Sequence, residues 1–158
     1  MKYFLHRIQK DNGTYTKGIE VHDNLDDAIR SFWGRMKTAY NNPQNPGMTF
    51  VSCFISDETG SIYPNYLGTW LKEGSEEANE FFLHSIRVDG ETVTKAIDVC
   101  STEDEAKRAL AAAMEYGYNN PRYPGVSLVS GSITDLLSGG MLLWNYKWNK
   151  PEEEPEEE

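Results

Sequence analysis

The chain has 158 residues, with 15 Lys+Arg against 25 Asp+Glu and a formal charge of −10. Six of those acids are Glu152, Glu153, Glu154, Glu156, Glu157 and Glu158, so the rest of the chain carries −10 + 6 = −4. That mild acidity disfavours direct binding to a nucleic-acid backbone, and the absence of any long apolar run excludes a helical membrane span.

The N-terminal Met1-Lys2-Tyr3-Phe4-Leu5-His6-Arg7 has no apolar core and no small-residue cleavage site, so a cytoplasmic protein without a secretory leader is expected. Residues 3–9 and 15–22 are β-branched and aromatic runs on either side of Asp11-Asn12-Gly13, which predicts a hairpin. Asn24 stands three residues before Asp27, the spacing of a helix N-terminus. Ala28, Phe32, Met36 and Tyr40 then follow at every fourth position and predict a stripe buried against a sheet. Asn41-Asn42-Pro43 ends the helix, because Asn tolerates the left-handed region and Pro cannot continue the ladder. A strand through Thr49–Ile55 and an aromatic strand around residues 66–70 complete the unit.

The same order then recurs with a constant offset. His84 minus His6, Tyr118 minus Tyr40 and Trp148 minus Trp70 all equal 78, and laying residues 3–72 on 81–150 gives 26 identities in 70 pairs without a gap. A repeat of this kind governs the reading of everything else. In the second copy Asp89-Gly90 marks the hairpin, Thr102 and Glu105 mark the helix start, and Ala106, Leu110, Met114 and Tyr118 form the matching stripe. The expected fold is α+β: tandem duplicated β-β-α-β-β modules, each an antiparallel sheet with one helix, paired about a pseudo-twofold axis as a dimer within the chain. The expected limits are 1–72 for the first module, 73–80 for an acidic linker, 81–150 for the second module and 151–158 for a disordered Glu-rich tail.

Few residues suggest chemistry. Cys53 and Cys100 fall at non-equivalent places, opposite Gly131 and His22, which points to free thiols rather than a bridge or a duplicated metal site. His6 and His84 are equivalent and share a strand face with Phe4 and Ile8 or Phe82 and Ile86. They read either as matched ligand or proton-transfer groups or as half-buried histidines bonded to backbone carbonyls, and the second reading is preferred because no other ligand stands at metal spacing. Asp57 and Asp135 lie in turns whose geometry accounts for them. With no nucleophile elbow, phosphate loop or metal motif, neither an enzyme nor a bound cofactor is expected.

The densest polar and aromatic signal lies in the Tyr-Asn-Asn-Pro-x-x-Pro-Gly loops. Tyr40, Asn41 and Asn42 with Tyr118, Asn119 and Asn120 form the candidate binding set, read either as a helix stop or as two loops shown symmetrically to a twofold ligand or a partner. The copies also differ. Ile29 and Trp33 become Lys107 and Ala111, so Trp33 is either buried, the preferred reading, or an exposed anchor, while Arg122 and Tyr123 replace Gln44 and Asn45 and make the second loop stickier.

Lys2-Tyr3-Phe4-Leu5-His6-Arg7-Ile8, Tyr15-Thr16-Lys17-Gly18-Ile19-Glu20-Val21 and the helix running into Tyr40-Asn41 resemble small accessory proteins of bacteriophages and integrated elements of gut bacteria. The resemblance covers one module, and so each half, and the group it names is known in single-module form. It implies a phage-encoded protein acting in the host cytoplasm. The expected function is that of a non-enzymatic accessory binder, counter-defence or host-modulating, which blocks a host protein. A sponge that sequesters a small nucleotide signal at the module interface is the alternative. A small hydrolase using His6 or His84 with Asp57 or Asp135 ranks last, and further oligomerisation stays open.

Overall fold

The computed structural model describes residues 1–75, 78–138 and 142–151. The expected Glu tail falls almost wholly outside them, as do residues 76 and 77 of the expected linker. The protein is α+β, with two antiparallel four-stranded sheets and two helices.

In chain order the elements are β1 (Tyr3–Asp11), β2 (Thr14–His22), α1 (Leu25–Met36), β3 (Met48–Asp57), β4 (Ile62–Leu71), β5 (Phe81–Asp89), β6 (Thr92–Cys100), α2 (Glu103–Met114), β7 (Val126–Asp135) and β8 (Leu142–Asn149). The sheet orders are β2-β1-β3-β4 and β6-β5-β7-β8. Asn12 and Gly13 both take positive φ, 51° and 81°, the pair of values that a two-residue turn between twisted strands demands. Each helix starts on the cap its sequence announces: Asn24 accepts from the Asp27 amide at 2.8 Å, and Thr102 from the Glu105 amide at 3.2 Å.

Strand alternation sends each sheet two ways. From β1 and β3, Leu5, Val51, Cys53 and Ile55 meet Ala28, Phe32 and Met36 of α1, and the second helix packs likewise through Ala106, Leu110 and Met114 on Leu83, Val129 and Ile133. The other faces meet each other. Phe4, Ile8, Ile19 and Phe50 of the first sheet close on Phe82, Ile86, Val88, Ile97 and Leu128 of the second. The layers therefore run helix, sheet, sheet, helix, with three cores between them.

The facing strands run in opposite senses. Glu80, at the start of β5, accepts from Lys10 and from the Tyr15 hydroxyl at the far end of β1 and the near end of β2, the latter at 2.6 Å. At the opposite edge, Asn149 near the end of β8 donates to the Glu58 carbonyl in the turn before β4 at 3.1 Å. Two residues of the expected spacer are thus part of the body: besides Glu80, Asn79 accepts from the Leu137 amide at 3.0 Å.

Two expectations about packing fail. Tyr40 and Tyr118 do not continue the buried stripes; both are more than 60% exposed, because α1 and α2 stop at Met36 and Met114 and the chain turns away four residues later. Trp33 is 59% exposed rather than buried. Phe32 takes the sheet-side position, and the next residue on a helix lies about 100° further round. The Trp33 ring is held edge-on against Phe32, with centroids 5.0 Å apart.

Candidate functional site

His6 and His84 meet at the centre of the sheet–sheet core. Their Nδ1 atoms are 3.2 Å apart, His6 Nε2 lies 2.8 Å from Ser56 Oγ, and His84 Nε2 lies 2.9 Å from Thr134 Oγ1. The sequence suggested half-buried rings bonded to backbone carbonyls. The structure corrects this: the rings are 3% and 1% exposed, and their partners are two hydroxyls and each other. Registers His6↔Phe54 and His84↔Ser132 explain the asymmetry around them, since Phe54 stacks on His6 at 3.9 Å while its counterpart Ser132 leaves room for that ring.

Burial holds both imidazoles well below their usual range, His84 at about 3, and the neighbouring His84 adds to the effect on His6. Both rings are neutral at pH 7. One Nδ1 must then donate and the other accept, so that the chain Ser56–His6–His84–Thr134 has two self-consistent proton orders. Neither carboxylate joins it. Asp57 and Asp135 follow Ser56 and Thr134 on strands, so their side chains point to the opposite face. Asp57 is absorbed by its turn, accepting from Thr59 and from Tyr63 at 2.6 Å; burial raises its pKa, but these bonds outweigh it and leave a net lowering. Asp135 accepts from the Ser138 hydroxyl and from Asn79.

Burial disfavours the thiolate at both cysteines. Cys53 is buried with its pKa pushed up to about 12 by desolvation, and Cys100 is partly buried and raised for the same reason. Among the described residues no group of three or more His, Cys, Asp or Glu could hold a metal ion.

The Asn-Asn-Pro loops divide by residue. Asn42 and Asn120 work within the chain: their amides donate to the Lys37 and Glu115 carbonyls at 2.7 Å, and their side-chain oxygens accept from the Gln44 and Arg122 amides. Tyr123 is half-buried on Tyr116, 4.5 Å between centroids, with the Arg87 guanidinium 4.0 Å over the Tyr116 ring. Tyr40, Asn41, Tyr118 and Asn119 behave otherwise. All four are exposed, with φ of 62°, 57°, 61° and 55°. Two consecutive non-glycine residues in the left-handed region are costly, and the cost recurs in both copies.

The structure does not bring the two loops together. Gly47 of the first loop bonds Asn12 at the β1–β2 turn, beside Lys10 and therefore at the Glu80 end of β5. Gly125 of the second loop abuts Asp89, at the other end of β5. Nine strand residues separate them, roughly 30 Å. Among the described residues the two loops form no shared cleft for one small twofold ligand, and the sheet–sheet space is filled by Phe4, Phe50, Phe54 and Phe82, all at most 1% exposed.

Sequence reasoning missed one feature. A groove of about 310 Å³ runs between α2 and β8, lined by Lys107, Leu110, Ala111, Met114, Trp144 and Tyr146. Its signal was present in the repeat: Phe32, Trp33 and Gly68 of the first copy stand opposite Leu110, Ala111 and Tyr146. Gly68 is needed where Phe32 is, for a Cβ there would lie 3.0 Å from the Phe32 ring. In the second copy the glycine has crossed to the paired strand, at Gly131, where Leu110 lies against it. No helix among the described residues is long and apolar enough to cross a membrane. Comparison with known proteins finds no family model, no curated protein and no solved structure that matches the chain.

Proposed function

We propose that the chain is a non-catalytic binding protein that blocks a protein partner, of the phage-type accessory kind that acts on host or defence proteins. Its two β-β-α-β-β modules are related by a pseudo-twofold axis passing between His6 and His84. The observation that carries this reading is the outward pair Tyr40-Asn41 and its repeat Tyr118-Asn119, each holding two consecutive residues in the left-handed region where a plain helix stop uses one. Strain of that kind persists where a surface is shaped for something. Tyr beside Asn is also the pairing that binding loops use, a rigid ring with an adaptable amide.

Opposite placement makes the two knuckles separate, equivalent contacts, suited to bridging two partner subunits and gaining affinity through linkage. The filled sheet–sheet core weighs against a nucleotide sponge at that interface. The neutral, enclosed histidines and the absorbed carboxylates weigh against a hydrolase.

The test is capture from a bacterial host lysate, with and without nuclease, by the full chain and by a Tyr40→Ala/Tyr118→Ala variant whose fold is verified. Nuclease-resistant capture that the variant loses supports the reading. Capture indifferent to both tyrosines, or a copurified ultraviolet-absorbing nucleotide, overturns it.

A further inference from the structure

We infer that the small pocket between the end of α2 and the β5–β6 hairpin binds a short aliphatic carboxylate, held by the Arg87 guanidinium. The pocket measures about 70 Å³, and Ser85, Arg87, Thr94, Ala113, Tyr116 and Val129 line it. Thr94 and Val129 stand directly across from Arg87 on its two neighbouring strands, and Ser85 lies two residues back along β5 on the same face. That face is the one α2 covers, since Leu83 and Val129 pack with Leu110 and Met114. Ala113 and Tyr116 close the pocket from the helix side.

The repeat shows how the pocket opened. The same positions in the first copy hold Arg7, Gln9, Arg35 and Thr38. There Arg7 and Arg35 each reach Glu20 at 3.1 Å and Gln9 donates to Thr38 at 3.0 Å, so long side chains fill the space and meet their partners within the module. In the second copy Ser85 and Ala113 replace both arginines, while Arg87 takes the place of Gln9. Two long side chains are gone, and a new cation has come without an anion.

Arg87 is positioned but not satisfied. Its guanidinium lies 4.0 Å over the Tyr116 ring, and stacking by one face leaves the N–H groups at the edge of the plane free to donate. Among the described residues its side chain makes no hydrogen bond and no ion pair. Asp98, the counterpart of Glu20, is exposed opposite Leu83, four residues along β6 from Thr94, and Asp89 is turned against Gly125. A guanidinium fixed in a pocket with two hydroxyls beside it, and no carboxylate of its own, is matched by a carboxylate from outside.

Size and walls narrow the class. Water takes about 30 Å³ in the liquid, so about 70 Å³ holds roughly two or three groups of that size, as in acetate, propionate or the end of a glutamate side chain. The Ala113 methyl, Val129 and the Tyr116 ring suit methylene groups, and would leave the outer oxygens of a phosphate without donors. The pocket stands on different residues from the Tyr-Asn knuckles and does not depend on their role.

The experiment is a nitrogen–proton NMR titration of the full chain with sodium propionate, at ionic strength held constant with sodium chloride. Propionamide, inorganic phosphate and a capped glycine–glutamate–glycine tripeptide are titrated beside it. Propionate is expected to give saturable shifts at the Arg87 Nε–H and at the Ser85 and Thr94 amides, and propionamide to leave them unmoved. Arg87→Gln, which copies Gln9, removes the charge; Ala113→Leu keeps the charge and fills the pocket. Neither residue is buried, and circular dichroism checks both folds. Each variant is expected to weaken binding roughly tenfold or more, the scale of one lost charge-assisted hydrogen bond. Tripeptide binding tighter than propionate assigns the site to a peptide-borne glutamate, and the reverse order to a free carboxylate. Shifts that do not saturate, binding that Ala113→Leu leaves intact, or phosphate binding tighter than propionate overturns the inference.

Discussion

His6 Nδ1 lies 3.2 Å from His84 Nδ1, so two residues 78 positions apart complete one hydrogen-bond chain inside the buried core between the sheets. Folding keeps both rings neutral, whereas the unfolded chain protonates them near pH 6.5. Below that pH the unfolded state binds more protons, so stability rises with pH from about 3, the folded value of His84, to about 6.5, and falls on acidification through that window. Two such groups together lose roughly 3 kcal/mol per pH unit just below pH 6.5. Urea titrations at pH 7 and pH 5 should therefore differ by several kcal/mol; equal midpoints contradict the burial of the pair.

Replacing both rings should cost about as much as replacing one, since either change leaves two buried polar groups without a partner. His84→Leu leaves His6 Nδ1 and the Thr134 hydroxyl buried without that partner, a penalty of about 1–3 kcal/mol. His6→Leu/His84→Leu removes both imidazoles, so the two penalties are expected to be strongly non-additive and the pH dependence to flatten. Additive losses in a double-mutant cycle would show that the rings do not interact.

Much of this fold was legible because the repeat doubles every signal: the hairpin turns, the caps Asn24 and Thr102, and the Ala28, Phe32, Met36 stripe each have a counterpart 78 residues on. The histidine partners were not legible, since a strand shows which residues share a face and not what lies against that face. Tyr40 was misplaced because its spacing fits a helix that has already ended at Met36. Trp33 was misplaced because hydrophobicity alone cannot tell a second buried stripe from an exposed one. The groove at Ala111 needed the glycine exchange between Gly68 and Gly131 to be seen as one change across two paired strands.

That exchange predicts a compensation. Gly68→Ala places a Cβ 3.0 Å from Phe32 and 3.1 Å from Met36, an overpacking worth about 1–3 kcal/mol. Phe32→Leu, which copies the second module, should recover part of the loss when combined with it. Thermal midpoints of the two single variants and the double variant decide, and a double loss equal to the sum rejects the shared-space account.

The loop asparagines should separate by role. Asn42→Ala and Asn120→Ala each remove two hydrogen bonds that close the helix end, costing about 1–2 kcal/mol apiece. Asn41→Gly and Asn119→Gly should leave stability level or raised, because glycine takes positive φ without strain. Denaturant midpoints showing the reverse order would place the structural load on Asn41 and Asn119 instead.

Separated halves should fail as independent domains. Fragments 1–75 and 81–151 each uncover one wall of the sheet–sheet core, including Phe4 and Phe50 or Phe82 and Leu128, at about 1.5–3 kcal/mol per exposed side chain. Each is expected to aggregate or pair with itself when expressed alone, and two monomeric, cooperatively folding halves would refute the packing. By contrast, truncation after Lys150 removes six glutamates with almost no apolar surface and should move the thermal midpoint by no more than a few degrees.

The histidine side-chain nitrogens test the closure of the two sheets most directly. Long-range nitrogen–proton correlation spectra of the full chain distinguish the two neutral tautomers and the imidazolium of each ring, with His22 as a third signal outside the pair. His6 and His84 are expected to be neutral at pH 7 with unlike tautomers, or an exchange average of the two proton orders, and both to stay neutral well below the pH at which a free imidazole protonates. An imidazolium at either residue near pH 6 would mean that water reaches the pair and that the sheets do not close over it.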